Sequence, residues 1–494
     1  NLDVVTSYRE LPASKRPLCM GVNSFGFGGA NAHVLLQEHR KHTKRARRKT
    51  PLTAPLILSA RSPQALRELA QRYASSLVST NTSDFHDLVH AAAFRRQWLE
   101  KRMAVFGSNA SQLAERLSAF ARDEKCADVI LEDALPEKGD TAFVYSGNGA
   151  QWLGMGRVLL TESPDFAATM STLDTLIRKH AGFSLLEELR AEPDQSRMSL
   201  TEVAQPALFA MQVGVTELLR AHGLDAAAAT GHSVGEIAAA WAVGALSLEQ
   251  ATVVICERSA AQAITKGSGN MAAVGLSEAA VASVLTETGL AGSIAVAAMN
   301  SPGMVTLSGP LDALEELHEK LNSQNVFYRL LDLDYAFHSP AMDPIQASLL
   351  ERLSNLSPSP SKGVFVSTVT GGIMAGDELD AAYWWQNIRE PVRFNQAIDT
   401  LAQAGCRVFV EIGPHAILQR YIRETLTKRG VAGRALTTLK KGDDGPDRLI
   451  ETAWRACLLG APFNLEKHFS KPTGIVRLPN YPWQRESYWH ALTT

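Results

Sequence analysis

The sequence has few cysteines, no excess of one charge and no long apolar run. Its 5 cysteines among 494 residues include no Cys-x-x-Cys pair, which argues against a disulfide framework or a zinc-binding motif. The 49 Lys and Arg residues nearly balance the 51 Asp and Glu residues, so no overall field favours nucleic acid or an anionic membrane. The longest apolar run, residues 237–246, is broken by Gly244 and is too short for a bilayer, which requires about 20 residues. These absences predict no metal site and no nucleic-acid or membrane partner.

The remaining composition is typical of folded domains. Hydrophobic residues make up 45% and charged residues 20% of the chain, close to the average for soluble domains. At roughly 150 residues per domain, the length predicts about three folded units. The chain begins with Asn rather than Met, and we expect it to be an excerpt from a longer cytoplasmic polypeptide.

The first 138 residues divide into a strand-rich tail and a small mixed unit. Residues 1–38 contain two apolar strand patterns separated by a Gly-rich turn. Residues 40–49 are rich in Lys and Arg, and we interpret them as a solvated linker rather than a nucleic-acid or membrane patch, because a Thr-Pro pair and a new strand pattern follow. Residues 39–138 are predicted to form a small α/β linker domain with one or two short strands. Its helical patterns lie at 62–77 and 110–122.

The longest predicted unit, residues 139–439, alternates strand and helix patterns, which indicates an α/β fold with a hydrolase-like, largely parallel sheet. Within it, residues 269–334 follow the order β-α-β-β-α-β, typical of a ferredoxin-like (split βαβ) unit. We therefore predict a large parallel-sheet subdomain with an inserted ferredoxin-like small subdomain. Residues 440–494 contain a helical pattern and an aromatic-rich tail, which we expect to lie as an extended strap over a neighbouring domain.

A nucleophile motif stands out in this unit. Residues 231–235 read Gly-His-Ser-Val-Gly, the G-x-S-x-G form of a nucleophile elbow, between a small-residue strand pattern and a helical pattern. Glycine is required on both sides because the serine backbone is strained and the strand and helix approach closely. Ser233 is therefore the candidate nucleophile.

A serine hydroxyl requires an adjacent base, and the sequence offers 13 histidines. His338 is the best candidate, because it follows the predicted insertion in a loop that could reach back to Ser233. The nearest acids, Asp332 and Asp334, are too close in sequence to orient it as an acid does in hydrolases. The residues alone leave the choice of histidine open.

Five short motifs and one arginine occur in a characteristic order. They are Ser-Gly-Asn-Gly-Ala-Gln at 146–151, Gly-His-Ser-Val-Gly-Glu at 231–236, Arg258, Asn-Ser-Pro at 300–302, Tyr-Ala-Phe-His-Ser at 335–339 and Glu-Ile-Gly-Pro-His at 411–415. Together they resemble the acyltransferase domain of modular or iterative type I polyketide synthases. Residues 1–38 resemble the end of a ketosynthase domain, 39–138 the ketosynthase-to-acyltransferase linker, and 440–494 the linker that follows the acyltransferase.

The resemblance implies a role for each matching residue. It implies a Ser-His dyad, with Ser233 as the acyl acceptor and His338 as the general base, oriented by a backbone carbonyl from the segment 391–395. It implies an oxyanion hole formed by the backbone N–H groups of Val234 and Asn148. Family members more often carry Gln at position 148, but a main-chain donor tolerates that difference. The implied substrate-binding residues are Arg258, Gln151, His232, Asn300, Tyr335 and Phe337.

Arg258 has two interpretations. By sequence context alone, an arginine on an apolar helix is usually a surface residue whose charged end reaches solvent. In the family, an arginine at this position pairs bidentately with the free carboxylate of a dicarboxylic acyl group, a task that suits the planar guanidinium. The resemblance therefore implies a malonyl-type substrate.

The implied reaction is transfer of a malonyl unit from malonyl-CoA, through Ser233, to the phosphopantetheine thiol of an acyl carrier protein. The chain itself needs no bound cofactor, and its implied partners are the carrier protein and the neighbouring ketosynthase domain. Three alternatives remain open: a methylmalonyl-selective acyltransferase, a Ser-His thioester hydrolase and an inactive docking fragment. Residues 335–338 read Tyr-Ala-Phe-His, whereas malonyl-selective members usually read His-Ala-Phe-His and methylmalonyl-selective members Tyr-Ala-Ser-His. Phe337 favours malonyl because it fills the space that a branching methyl would need.

Overall fold

The structure is a computed structural model that describes residues 4–11, 14–38, 54–78, 82–472 and 474–486. Within these ranges the strands form four sheets, with two, three, six and four strands. The Lys- and Arg-rich run predicted to be a linker, residues 40–49, lies outside the described residues.

The N-terminal segment is a β-hairpin. Its strands β1 (Cys19–Phe25) and β2 (Asn31–Gln37) pair antiparallel, and every residue in them is exposed. The turn closes with a hydrogen bond from the Gly26 N–H to the Ala30 carbonyl, and Gly29 has φ +86°, a backbone conformation that favours glycine. The predicted strand, turn and strand are confirmed.

The next unit is a three-stranded antiparallel sheet packed against helices. Its elements are β3 (Leu56–Ala60), α1 (Pro63–Val78), α2 (Thr82–Phe94), β4 (Lys101–Val105), α3 (Ala110–Ala121) and β5 (Val129–Asp133), with the sheet order β3-β4-β5. The sequence predicted one or two strands here, and β5 accounts for the difference. It is an edge strand in which Ile130 is the buried residue, so its apolar signal is weak.

The large subdomain begins with the strand and helices that contain the nucleophile motif. In chain order these are β6 (Asp140–Tyr145), α4 (Arg157–Glu162), α5 (Pro164–Ala181), α6 (Leu185–Arg190), α7 (Thr201–Ala221), β7 (Ala228–Gly231), α8 (Gly235–Ala242) and α9 (Leu248–Ala263). Helix α7 is buried on nearly every side by the large hydrophobic core. No described helix is both long and apolar enough to cross a membrane.

The inserted subdomain follows α9. Its elements are β8 (Asn270–Val274), α10 (Glu278–Glu287), β9 (Ala295–Ser301), β10 (Met304–Gly309), α11 (Leu311–Ser323) and β11 (Tyr328–Leu330). The antiparallel sheet has the order β11-β8-β10-β9 and a hydrophobic core of its own, which confirms the ferredoxin-like prediction. Met299 and Val392 join the two subdomains through a backbone hydrogen bond of 2.9 Å.

The chain then returns to the large subdomain and completes its sheet. The elements are α12 (Gln346–Arg352), β12 (Val364–Val366), β13 (Ile373–Met374), α13 (Ala381–Arg389), α14 (Phe394–Gln403), β14 (Cys406–Ile412), α15 (Gln419–Arg429) and β15 (Arg434–Thr437). The sheet order is β13-β12-β7-β6-β14-β15, parallel except at β13. The predicted hydrolase-like sheet is confirmed. Because Tyr145 pairs with Gly231, the loops after β6 and β7 leave the sheet side by side.

The C-terminal segment connects the large subdomain to the small N-terminal unit. Helix α16 (Pro446–Leu459) buries Ala453 in the core of the large subdomain and Trp454 in the core of the three-stranded unit. The extended tail that follows lies on that unit, where the Tyr481 hydroxyl accepts a hydrogen bond from the Arg61 N–H at 3.1 Å. The division of the chain at 39, 139 and 440 stays a prediction, since α16 contributes to both cores.

Candidate active site

The G-x-S-x-G motif forms a sharp turn between β7 and α8. Ser233 has φ +54°, a region that non-glycine residues rarely occupy. A Cβ at Gly231 would overlap the backbone of Gly235, and a Cβ at Gly235 would overlap the carbonyl of Tyr145. The two glycines therefore allow the strand, the turn and the helix to approach closely, with Ser233 at the carboxyl edge of the sheet.

The His338 side chain lies beside the serine. Its Nε2 is 2.8 Å from the Ser233 Oγ, and its Nδ1 is 2.8 Å from the carbonyl oxygen of Glu390. Because a carbonyl can only accept, Nδ1 carries the proton and Nε2 presents its lone pair to the hydroxyl. The orienting carbonyl comes from the residue directly after α13, one position before the segment 391–395 from which the sequence predicted it.

The backbone of His338 has an unusual conformation that a hydrogen bond to α13 helps to hold. It has φ +58°, a strained backbone state of the kind found at functional sites, and its N–H donates to the Ile388 carbonyl at 3.2 Å. Burial, together with the nearby positive charge of Arg258, lowers the pKa of His338 to about 3. The imidazole is therefore neutral near pH 7 and able to accept a proton.

The Arg258 guanidinium is the third group of this cluster. The residue is only 1% exposed, so the surface interpretation is excluded. Its Nη2 donates to the Ser233 Oγ at 3.1 Å, and its Nη1 donates to the side-chain oxygens of Gln205 and Gln262 at 2.6 and 2.7 Å. Burial lowers the pKa of Arg258 to about 9, while the negative charge of Glu236 raises it. A protonated guanidinium thus lies directly against the candidate nucleophile.

Four polar residues of this cluster were not predicted from the sequence. Gln205 and Gln262 contact Arg258 directly, and Asn387 accepts from the Arg258 Nε at 3.3 Å. Asn387 also donates to the carboxylate of Glu236 at 2.7 Å. The sequence signal was weak, since each is a polar side chain among largely apolar helix residues. Glu236 is in addition the last residue of the motif at 231–236, to which no role was assigned.

The other residues predicted from the sequence surround Ser233, His338 and Arg258 but have no described hydrogen bond to them. His232 Nε2 is 2.8 Å from Asn300 Oδ1, which links the elbow to the inserted subdomain. Tyr335 and Phe337 stack with ring centroids 4.8 Å apart and are both buried. The Gln151 side chain accepts from the Gly149 N–H at 2.8 Å and has no described contact with the serine.

The loop after β6 supplies the remaining predicted group. A Cβ at Gly147 would lie 2.6 Å from the His232 carbonyl, so this loop packs directly against the elbow. The backbone N–H groups of Asn148 and Val234 donate to no backbone carbonyl among the described residues. They are therefore available to an external acceptor.

The arrangement is suited to nucleophilic chemistry at a carbonyl. It combines a strained serine, a neutral histidine in hydrogen-bond contact and free backbone donors nearby, the components of covalent acyl transfer. In the part of the chain that the structure describes, no group of three His, Cys, Asp or Glu residues could hold a metal ion.

Comparison with known proteins agrees with this chemistry. Residues 142–458 match the family described as "Acyl transferase domain", and residues 1–104 match "Ketoacyl-synthetase C-terminal extension". The chain is 37% identical over 513 residues to polyketide synthase GfsB of Streptomyces halstedii, a match that covers 99% of this chain and 9% of the synthase. The chain therefore spans only a small part of such relatives.

Two solved structures share the fold. The acyltransferase domain from module 8 of the salinomycin polyketide synthase is 34% identical, with a TM-score of 0.77 over 84% of this chain and 97% of that domain. The acyl transferase domain of SpnD, solved in complex with 2-(pent-4-yn-1-yl)malonyl, is 27% identical, with a TM-score of 0.70 over 85% of this chain and 98% of that domain. From the family match, the relatives and the shared fold, we conclude that this chain belongs to the acyltransferase domains of type I polyketide synthases.

Proposed function

We propose that this acyltransferase transfers a malonyl unit from malonyl-CoA to the phosphopantetheine thiol of an acyl carrier protein by way of a Ser233 ester. The observation that carries the proposal is the contact between the Arg258 Nη2 and the Ser233 Oγ at 3.1 Å. It places a buried cation beside the atom that would carry the acyl chain.

In the first half-reaction, the Ser233 Oγ attacks the thioester carbonyl while the His338 Nε2 accepts the hydroxyl proton. The Glu390 carbonyl stabilises the resulting imidazolium, since it lies 2.8 Å from Nδ1 at the C-terminal end of α13. Collapse of the tetrahedral intermediate breaks the C–S bond, and the imidazolium returns the proton to the departing CoA thiolate. The products are a malonyl ester on Ser233 and free CoA.

The developing oxyanion is assigned to the backbone N–H groups of Val234 and Asn148. Both lie in the paired loops at the end of β6 and β7, and both are without a backbone acceptor among the described residues. A donor of this kind contributes roughly 3 kcal/mol of transition-state stabilisation in other acyl-transfer enzymes. A main-chain donor also explains why Asn can replace the more usual Gln at position 148.

Arg258 is assigned to the free carboxylate of the substrate. A guanidinium has five N–H donors, and its contacts with Asn387, Gln205, Gln262 and Ser233 occupy four of them. The fifth is on Nη2, the nitrogen nearest the serine. In malonyl a single methylene separates the thioester carbon from the carboxylate, so an acyl carbon at Ser233 brings the carboxylate to this nitrogen.

Preference for malonyl over methylmalonyl is assigned to Phe337. Its ring is buried, stacks on Tyr335 and directly precedes the catalytic histidine in the chain. Forcing one extra methyl group into a packed site typically costs about 1–3 kcal/mol, which corresponds to roughly 5- to 150-fold discrimination. Methylmalonyl-CoA is therefore a poorer substrate that is not fully excluded.

In the second half-reaction, the carrier-protein thiol gives its proton to the His338 Nε2 and attacks the ester. Cleavage of the ester C–O bond returns the proton to the Ser233 Oγ. No cofactor is bound by this chain in either step, since the phosphopantetheine belongs to the carrier protein. The neighbouring ketosynthase domain is the expected partner in the same polypeptide.

Turnover in the presence and absence of a carrier protein tests this function. Equal concentrations of malonyl-, methylmalonyl- and acetyl-CoA would be offered together, and the acyl groups on the carrier would be identified by mass spectrometry. We expect mainly malonyl-carrier, with little free malonate when the carrier is omitted. Rapid malonate release without carrier would indicate a thioester hydrolase, a methylmalonyl product would overturn the malonyl assignment, and no turnover of any kind would indicate a docking fragment.

A further inference from the structure

The burial of Arg258 raises the question of what balances its charge. The guanidinium is 1% exposed, and its direct partners are the neutral side chains of Asn387, Gln205, Gln262 and Ser233. Among the described residues, no Asp or Glu lies within ion-pair distance of it. A buried charge without a counter-ion is costly, so the charge must be balanced from further away.

Asn387 connects the guanidinium to an acid. Its Oδ1 accepts from the Arg258 Nε at 3.3 Å, and its Nδ2 donates to the Glu236 Oε2 at 2.7 Å. The same Nδ2 donates to the main-chain carbonyl of Ser233 at 3.1 Å. One amide thus contacts the arginine, the acid and the backbone of the nucleophile.

The Glu236 carboxylate is itself firmly held. It is fully buried and accepts hydrogen bonds from the Thr368 N–H, the Thr368 hydroxyl at 2.8 Å and the Tyr383 hydroxyl at 2.6 Å, in addition to Asn387. Burial raises the pKa of Glu236 to about 6, and these hydrogen bonds oppose that rise. Glu236 is therefore anionic near pH 7, with no remaining freedom to approach the arginine.

We propose that Glu236 and Asn387 are positioning residues that determine the preference for a carboxylate-bearing acyl group. Glu236 supplies the counter-charge that stabilises the buried Arg258 cation, and Asn387 holds the acid one hydrogen-bonded side chain away from the guanidinium. This inference rests on the proposed function, in which Arg258 binds the malonyl carboxylate.

The separation matters because a directly paired acid would compete with the substrate. A carboxylate in contact with Arg258 would already neutralise the guanidinium, and one placed on Nη2 would also occupy the donor that malonyl needs. With an amide between them, the charge of Glu236 still acts through the poorly screened interior. The Nη2 donor beside Ser233 remains available.

The hydrogen-bond pattern makes Glu236→Gln a sharp test. Arg258 Nε can only donate, while the Glu236 carboxylate and the Ser233 carbonyl can only accept, so the orientation of the Asn387 amide is fixed. In Glu236→Gln, the side-chain NH₂ group would face either the Asn387 Nδ2 or the Thr368 N–H, both of which are donors. Either orientation therefore brings two donors face to face. A flip of the Asn387 amide would relieve the clash with residue 236 but would turn the Asn387 NH₂ group toward the Arg258 Nε, which is also a donor.

The experiment compares acylation by malonyl-CoA and acetyl-CoA in the wild type, Arg258→Ala and Glu236→Gln, using the whole chain. We expect Glu236→Gln to reduce the malonyl-to-acetyl ratio of kcat/KM at least 10-fold, with much of the change in KM for malonyl-CoA. Asn387→Asp, of nearly the same size, should also reduce the ratio because it would pair a carboxylate directly with the Arg258 guanidinium, so that the malonyl carboxylate would meet a charge already neutralised. It provides the test if Glu236→Gln does not fold.

Glu411→Gln is the matched control. Glu411 is likewise buried, with a pKa raised by burial to about 7, but its carboxylate accepts from the N–H groups of Ile417, Leu418 and Gln419 rather than contacting the Arg258 network. We expect this control to affect malonyl and acetyl equally. If Glu236→Gln or Asn387→Asp also leaves the ratio unchanged while Arg258→Ala removes the preference, the positioning role is wrong and the proposed function survives. A wild type that does not prefer malonyl would overturn both.

Discussion

Arg258 and Ser233 are in direct contact, with the guanidinium Nη2 3.1 Å from the hydroxyl Oγ. The same hydroxyl lies 2.8 Å from the His338 Nε2, so it accepts from the arginine while it donates to the histidine. The candidate nucleophile, its proposed base and the cation to which we assign substrate selection therefore meet at one oxygen atom. Substituting these residues one at a time should therefore separate effects on substrate choice from effects on the rate of acylation.

Arg258→Ala should change the substrate preference rather than abolish transfer. Loss of the cation would leave the malonyl carboxylate buried without a partner, at a cost of roughly 3–5 kcal/mol, which corresponds to about two to four orders of magnitude in kcat/KM. Acetyl-CoA has no carboxylate and should lose much less. Steady-state kinetics gives kcat/KM for each thioester. An equal fall in kcat/KM for malonyl-CoA and acetyl-CoA would show that Arg258 is structural.

The pH dependence of acylation should show no histidine titration near pH 6.5. Burial and Arg258 lower the pKa of His338 to about 3, so the base stays neutral as the pH falls through 6. Single-turnover acylation of the free enzyme between pH 5 and 8 is the measurement. Glu236, with a pKa of about 6, is the other buried group near Ser233 that titrates in this range, so an inflection near pH 6.5 that persists in Glu236→Gln would contradict the lowered pKa of His338.

The same shift has a consequence for stability. A histidine whose folded-state pKa lies below its unfolded value of about 6.5 binds fewer protons when folded. Its stabilising contribution to the free energy of unfolding is fully present above pH 6.5 and is lost progressively as the pH falls toward 3. His338→Asn should therefore flatten the decline in unfolding free energy over this range.

Phe337→Ser should narrow or reverse the preference for malonyl over methylmalonyl. The smaller side chain opens the space beside the acyl α-carbon, which removes an expected 5- to 150-fold discrimination. Competition between the two CoA esters, read from the acyl group on the carrier, measures the ratio. Because Phe337 is buried, thermal unfolding should be measured alongside, and an unchanged ratio in a folded variant would refute the assignment.

Gly231→Ala should destabilise the large subdomain severely. The added Cβ would overlap the backbone of Gly235, and backbone atoms cannot move aside as a flexible side chain can. We expect the free energy of unfolding to fall by about 1–3 kcal/mol or more, the usual cost of overpacking. Gly303→Ala is the matched control, because a Cβ there meets nothing within 4 Å. Similar melting temperatures for the two variants would contradict this account of the elbow.

The sequence predicted the fold and the central pair of residues, but not what holds them in place. The parallel sheet, the inserted β-α-β-β-α-β unit and the serine turn each produce a local pattern of apolar residues and glycines. The Glu390 carbonyl, by contrast, is a main-chain group whose role depends on where α13 ends relative to His338. Nothing in the identity of residue 390 indicates this.

The amide contacts of Arg258 were hidden for a related reason. Gln205, Gln262 and Asn387 lie on α7, α9 and α13, three helices that the sequence alone could not bring together. Arg258 itself fits a surface position equally well until its burial is known. Tertiary packing, rather than local pattern, determines which polar side chains are paired in the core.

Intact-protein mass spectrometry after brief incubation with malonyl-CoA decides whether Ser233 carries the acyl group. We expect one malonyl increment on the wild type, located on Ser233 by peptide mapping, and none on Ser233→Ala, which should keep the wild-type melting temperature. A malonyl increment of equal size on folded Ser233→Ala would contradict this assignment.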